Sequence, residues 1–475
     1  MDHRQRSTDH DISYHIRMEQ LMKQRKNELS TTQVISLGFF LAILVGTILL
    51  SLPVCSASGK ATPLMDALFT ATTSVCVTGL VVVPTYAHWS LLGKIIILIL
   101  IQLGGLGVVS FSTAVMMFIG RRITLKDRML LEDALNLNTL SGLVRFLRWI
   151  LKGTFLIEGL GFAGYCLVFI PQFGPKGIWY SLFNAVSAFC NAGMDIIGPN
   201  SLENYITHPW INIVTMFLII MGGLGFIVWM DLLELVRTRI RRHVSYHTLF
   251  QRLRLHTKLV LITTLGLILG GALAIFILEY DNPGTIGNLS LPGKLLASLF
   301  QSVTTRTAGF QTFSQKALRP GTMMICIFLM FIGGSSIGTA GGVKTTTIAV
   351  LILSTWATIK GDGRVVVFHK HIRGRIIKKA LAVIMVSILV LFSLTVLLYQ
   401  VEKGSMSDIA YETTSAIATV GLTRNLTPSL HTAGKAIIIL MMYLGRIGPI
   451  SMAIIFGSHG SRSLAEYPEE EITVG

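Results

Sequence analysis

The sequence predicts an all-α integral membrane protein, with four pseudo-repeats of helix, pore half-helix and helix, eight transmembrane helices in all, around one central pore. Three observations carry this prediction. Of 475 residues, 52% are hydrophobic and only 13% charged, where a soluble domain carries about 25%. Several apolar runs exceed the roughly 20 residues that span a bilayer, and residues 95–120 hold no charged side chain. Finally, four related stretches recur: Val77-Thr78-Gly79-Leu80, Asn191-Ala192-Gly193-Met194, Thr307-Ala308-Gly309-Phe310 and Thr419-Val420-Gly421-Leu422. Their glycines lie 114, 116 and 112 residues apart. Each stretch sits between an apolar segment rich in Phe, Ala, Ser and Thr and a long apolar one, so one unit is used four times.

The chain in order supports the repeat. Residues 1–33 are polar, without a secretory signal, and read as a cytoplasmic N-terminal arm. The first unit, 34–120, has a span at 34–52, a half-helix at 64–74 and a second span at 92–120. The second, 149–235, has a span at 149–170, a half-helix at 181–189 and a span at 210–235. The third, 258–359, runs through 259–278 and 295–303 to 322–359, and the fourth, 378–458, through 380–399 and 409–418 to 436–456. Residues 459–475 form a cytoplasmic tail. Each half-helix is too short to cross and aims the negative end of its dipole at the following loop.

The net charge of +16 raises nucleic-acid binding, and the placement of charge argues against it. Of 40 Lys and Arg, 27 fall in four blocks, 1–33, 121–152, 237–258 and 360–379. These blocks alternate with apolar spans, as cytoplasmic loops do, and fit anionic lipid as their partner rather than nucleic acid. Both termini then lie in the cytoplasm. The five cysteines (Cys55, Cys76, Cys166, Cys190, Cys326) show no CxxC spacing, so neither a disulfide framework nor a zinc site is expected.

A glycine in a Thr, Val or Ala context lets backbone carbonyls converge on one axis, and rings of carbonyls can replace the water shell of a monovalent cation. The expected ion ligands are the carbonyls of Val77, Thr78, Asn191, Ala192, Thr307, Ala308, Thr419 and Val420, with Gly79, Gly193, Gly309 and Gly421 permitting the turn. The second spans carry further glycines at 104–107, 222–225, 333–334 and 445–448. In the first two units these are expected to serve close helix packing.

The third cluster continues as Gly333-Gly334-Ser335-Ser336-Ile337-Gly338-Thr339-Ala340-Gly341-Gly342-Val343-Lys344. Each glycine costs a helix about 0.8–1 kcal/mol relative to Ala, so this span is expected to break in mid-membrane into a mobile gate loop under the filter. A nucleotide-binding P-loop requires Gly directly before the Lys, where Val343 stands, and a preceding strand. Arg446, near the middle of the last span, would be a positive barrier below the filter; the alternative is a structural partner for backbone carbonyls or for an acid such as Glu158. Arg306 would brace its loop against acids such as Glu412, Asp66 and Glu412 are bracing groups, and His369 and His371 belong to a solvated face. No spacing fits a catalytic Ser/His/Asp, Cys/His or HExxH arrangement, so an enzyme is not expected.

The fourfold plan, the single glycine per loop in VTGL, NAGM, RTAGF and ATVGL, the glycine-rich break ending in Val343-Lys344-Thr345, and GRIGP with Arg446 together resemble the Trk/Ktr/HKT superfamily of cation transporters. The resemblance extends over 30–475 and is closest to the membrane subunit of a bacterial Ktr potassium uptake system. It implies potassium (K+) uptake across the plasma membrane, often with sodium (Na+) as activator, by a homodimer with one pore per chain and no cofactor of its own. It also implies a cytosolic ring of nucleotide-binding RCK subunits that docks on the basic face and controls the gate loop. Cys76 and Cys190 stand where the family would have Thr and Asn, and Met194 where Phe is usual. The competing functions are a sodium-selective or unselective cation channel and a coupled secondary transporter; the latter would be expected to show inverted repeats.

Overall fold

In the computed structural model, residues 31–119, 123–134, 142–242 and 251–448 are described. The arm up to residue 30, the last span beyond Gly448, the tail 459–475 and parts of the basic stretches (120–122, 135–141, 243–250) lie outside them.

Each unit opens on a long outer helix: Thr31–Ser51, Leu143–Phe173, Leu255–Glu279 and Gly374–Val401. With 21 to 31 residues at about 1.5 Å each, all four can cross a hydrocarbon core of about 30 Å. The fourth shows how such a helix sits. Ala380, Ser387, Thr395 and Leu398 form its buried stripe, while Leu381, Met385, Leu389 and Phe392 are apolar and exposed. A helix apolar all round but packed along one stripe presents its other faces to lipid.

The pore helices Leu64–Val75, Lys176–Cys190, Leu291–Thr304 and Met406–Ile417 are 12 to 15 residues long, exposed in their first turns and buried toward their C-terminal ends. In the first of them hydroxyls are satisfied within the helix: Thr70, Thr72 and Ser74 donate to the carbonyls of Asp66, Leu68 and Thr70 at 2.7–2.8 Å. Polar side chains can therefore sit at membrane depth without water. The second and third pore helices begin at Lys176 and Leu291, earlier than the apolar pattern marked, because their first turns carry Lys176 and Lys294.

The inner helices correct the sequence reading. The runs 92–120 and 210–235 are not straight spans but bent pairs: Leu91–Leu106 with Val108–Phe118, and Pro209–Leu224 with Phe226–Arg242. The two halves meet at 104° and 101°. The hinges are Gly107 (φ 84°, ψ 139°) and Gly225 (φ 88°, ψ 142°), and Gly448 ends Thr432–Ile447 in the same conformation (φ 94°, ψ 148°). A side chain is strained in that region. The third inner helix breaks as expected, Pro320–Phe331 resuming only at Thr345–Ile359.

The expected close packing is also present. A Cβ on Gly104, Gly222 or Gly445 would press on the carbonyl of Val75, Phe189 or Ile417, each four residues before one of the recurring glycines Gly79, Gly193 and Gly421. These glycines thus let the inner helices touch the ends of the pore helices. On the side away from the filter, His369 and His371 are exposed in a short hairpin of Val366–Val367 with Lys370–His371, the solvated face foreseen.

Candidate functional site: a four-loop pore

The four pore helices end in loops of one backbone design. Val77, Asn191, Thr307 and Thr419 all have positive φ (55°, 59°, 65° and 53°), and so do the glycines two residues on, Gly79, Gly193, Gly309 and Gly421 (96°, 64°, 81° and 95°). For β-branched Val and Thr this left-handed conformation costs about 1–2 kcal/mol. Four equivalent strained residues in four units indicate a geometry imposed by the site.

The loops meet in a closed ring. A Cβ on Gly79 would strike the carbonyl oxygen of Ala192, on Gly193 that of Ala308, on Gly309 that of Val420 and on Gly421 that of Thr78, all inside 3.0 Å. Each glycine therefore makes room for the carbonyl of the residue preceding the next unit's glycine, in the order first, second, third, fourth and back to first. Four carbonyls, Thr78, Ala192, Ala308 and Val420, take part in this closed ring of contacts. The Asp66 carboxylate and Lys435 ammonium, 2.7 Å apart, join the fourth unit to the first.

The strain is held by hydroxyls that sequence reasoning missed. Gly79 N–H donates to Thr73 Oγ1 (2.9 Å), Gly421 N–H to Ser415 Oγ (3.0 Å) and Met194 N–H to Ser187 Oγ (3.1 Å). In the third unit Thr304 Oγ1 donates to Phe310 O at 2.6 Å. Three of these residues stand six before their glycine, and that recurrence was a usable signal. Glu412 braces the fourth loop, as expected of it, by accepting from Thr423 (2.9 Å) and from Thr427. Cys76 and Cys190 are buried at the ends of the first two pore helices.

Beneath the ring lies the glycine-rich segment 332–344. Its ends are tied by a bridge between Ile332 and Val343, with Gly333 N–H on Val343 O at 2.9 Å. Ser335 N–H and Thr339 N–H donate to the carbonyls of Gly223 (2.8 Å) and Gly222 (3.1 Å) at the second unit's hinge. Thr339 Oγ1 donates to Phe189 O at 3.1 Å and lies 3.4 Å from Asn191 Oδ1, and a Cβ on Gly341 would collide with Thr419 Oγ1. Gly334, Ser336, Gly338 and Gly342 complete this packed turn. No strand precedes the segment, which follows the helix Pro320–Phe331, and this argues against the P-loop reading.

Three cations surround the loop. Lys344 Nζ donates back to Ala340 O at 2.7 Å. Arg446 donates Nη1 to Thr339 O at 2.6 Å and Nη2 to Gly104 O, so it clasps the loop to the first unit's hinge through backbone carbonyls and not through Glu158. Arg306 is a correction: its Nη2 reaches Gly333 O at 3.5 Å, while Glu412 is engaged elsewhere. It braces the glycine-rich loop and not its own.

The arrangement can be set beside known proteins. The family model TrkH, described as a cation transport protein, matches residues 15–467. The Ktr system potassium uptake protein B of Bacillus subtilis (strain 168) is 41% identical over 444 residues, 93% of this chain and 96% of that one. The potassium/sodium uptake protein NtpJ of Enterococcus hirae is 39% identical over 463 residues, 96% of this chain and 100% of that one. The crystal structure of the potassium transporter TrkH from Vibrio parahaemolyticus has the same fold, with a TM-score of 0.68 at 15% identity over 91% of this chain and 86% of that one. The chain belongs to the TrkH family of cation transport proteins, and is a multi-pass membrane transporter rather than an enzyme.

Proposed function

We propose that this protein takes up potassium across the bacterial plasma membrane through the four-loop pore. The observation that carries the reading is the ring of Thr78, Ala192, Ala308 and Val420 carbonyls, each seated against the glycine of the preceding unit. Carbonyls held in that way substitute for the hydration shell of a dehydrated monovalent cation, and an inside-negative potential supplies about 2.3 kcal/mol per charge per 100 mV. Potassium is the transported ion and binds at filter carbonyls only; sodium acts as activator. The segment 332–344 is the gate, with Arg446 as a positive barrier beneath the filter.

The functional assembly is a homodimer, both termini cytoplasmic, with a cytosolic nucleotide-binding RCK ring docked on the basic face; the name of the Bacillus relative, a component of a Ktr system, supports that partner. A second reading, a pore that passes sodium as well, is favoured by the name of the Enterococcus relative. Uptake in cells lacking their own potassium transporters separates the two. The proposal expects growth rescue at low external potassium, stimulated by sodium; sodium entry at a rate matching potassium entry would favour the second reading.

A further inference from the structure

The bend at Gly107 leaves an elbow in the first unit, and a groove of about 580 Å³ fills it. One wall is the straight half of the inner helix (Ile99, Leu103), a second the bent half (Val109, Ser112) and the third the outer helix (Leu41, Val45). The rim is open on the lipid-facing side, where Leu41, Val45 and Ile99 are 58%, 46% and 51% exposed, and Leu100 at the back is only 6% exposed. Along the outer helix the groove runs from Val34 to Leu49, about 22 Å at about 1.5 Å per residue. Ser112 and Thr113 both donate their hydroxyls to Val109 O, at 3.0 and 2.7 Å. Among the described residues that line the groove, Asp127 alone is charged, and it lies on the helix Leu125–Ala134 in the basic stretch 121–152. Its Oδ2 accepts from the N–H and Oγ1 of Thr124, at 2.9 and 2.8 Å.

The dimensions decide what fits. A volume of about 580 Å³ over about 22 Å gives a mean section of about 26 Å², about 6 Å across. A helix with its side chains is about 10–12 Å wide, so a helix of a second copy cannot enter. A polar ligand would find hydroxyls already committed along the length and one carboxylate at the end. We infer that this groove binds one acyl chain of a phospholipid from the leaflet on the side of Asp127, which is the cytoplasmic leaflet in the proposed topology. One leaflet contributes about 15 Å of a hydrocarbon core of about 30 Å, so the groove holds the chain along its whole length, with the head group at Asp127. Since lipid tails are as apolar as leucine, contact on three walls rather than escape from water retains the chain. It packs against both halves of the hinge, where Gly107 N–H donates to Gly104 O at 3.1 Å, the carbonyl that Arg446 also clasps.

The test is native mass spectrometry of the full-length protein in detergent, incubated with 1-palmitoyl-2-oleoyl-phosphatidylethanolamine. Dihexanoyl-phosphatidylethanolamine is the control, with the same head group and chains too short to fill the groove. One long-chain lipid per protein chain is expected to stay bound, and the short-chain lipid at least about tenfold less often. Val45→Trp and Ser112→Trp enlarge walls on two different helices, and each should lower the bound fraction about tenfold with the melting midpoint kept. Leu389→Trp, on the lipid-facing side of the fourth outer helix where Leu389 is 65% exposed, should leave it unchanged. Failure to retain the long-chain lipid, equal retention of both lipids, undiminished binding in a folded groove variant, or an equal loss in Leu389→Trp would each overturn the proposal. So would efficient disulfide cross-linking of two copies through Val45→Cys, which would show that a second copy and not a lipid covers the groove.

Discussion

Truncating Arg446 to Ala separates the clasp it makes on the glycine-rich loop from the charge barrier proposed for it beneath the ring. The clasp consists of two charge-assisted hydrogen bonds, to Thr339 O at 2.6 Å and to Gly104 O. At about 1.5–3 kcal/mol each they contribute about 3–6 kcal/mol. Against this stands the cost of an arginine in the membrane, about 2.5–3.5 kcal/mol on insertion scales. The net loss of stability is therefore modest, about 0–3 kcal/mol, and the loop keeps its bonds to Gly222 and Gly223. The charge acts differently. At about 5 Å and an effective dielectric constant near 20, it repels a passing cation by about 3 kcal/mol, and this barrier vanishes in Arg446→Ala. Rubidium flux per inserted molecule in proteoliposomes should rise by an order of magnitude or more while the melting midpoint falls only slightly. Arg446→Lys provides the control: its single ammonium keeps the charge but cannot span both carbonyls, so stability drops with no gain in flux. An Arg446→Ala protein that melts many degrees lower and conducts no faster would refute the barrier and leave Arg446 a structural clasp.

Three further predictions follow from the same geometry. Excising 335–341 should raise flux, because the bridge between Ile332 and Val343 already brings the cut ends together; a correctly inserted deletion that conducts no more than the parent would remove the loop from the gate. Ser415→Ala leaves the buried Gly421 N–H without its acceptor, at about 1–3 kcal/mol, and should lower both the melting midpoint and the preference for potassium over sodium in flux assays. Lys435→Met strands Asp66, and should destabilise by somewhat less than the about 3–5 kcal/mol of a fully buried pair, because the two side chains are 19% and 17% exposed. Adding Asp66→Leu should restore most of the midpoint; a double variant no more stable than the single would show that the pair is not what couples the fourth unit to the first.

The repeat was legible because its marks are local: a glycine that recurs at near-constant spacing, and apolar runs of two lengths, one long enough to cross and one not. The residues proposed as the filter lie within two positions of such a glycine, where the loops share their positive-φ backbone. The hinges at Gly107 and Gly225 were not legible, because a glycine inside an apolar run gives one signal for close packing and for a break. Gly104 packs on Val75 O while Gly107, three residues on, turns the chain. The loop-pinning hydroxyls were half visible, regular at Thr73, Ser187 and Ser415 but shifted by one residue to Thr304 in the third unit. Partners across units were hidden altogether. Arg446 and Gly104 are 342 residues apart, and the partner of Arg306 is a backbone carbonyl that carries no residue identity to search for.

The central claim is that the four carbonyls select the ion and that the glycines make their ring possible. Gly421→Ser tests it most directly, because its φ of 95° strains any side chain and its Cβ would press on Thr78 O and lie 2.9 Å from Gly79 Cα. Measured in proteoliposomes as the ratio of potassium to sodium flux, with insertion verified, the variant is expected to lose most of its potassium flux or most of its preference for potassium. A Gly421→Ser protein with the parent's flux and the parent's ratio would contradict the account.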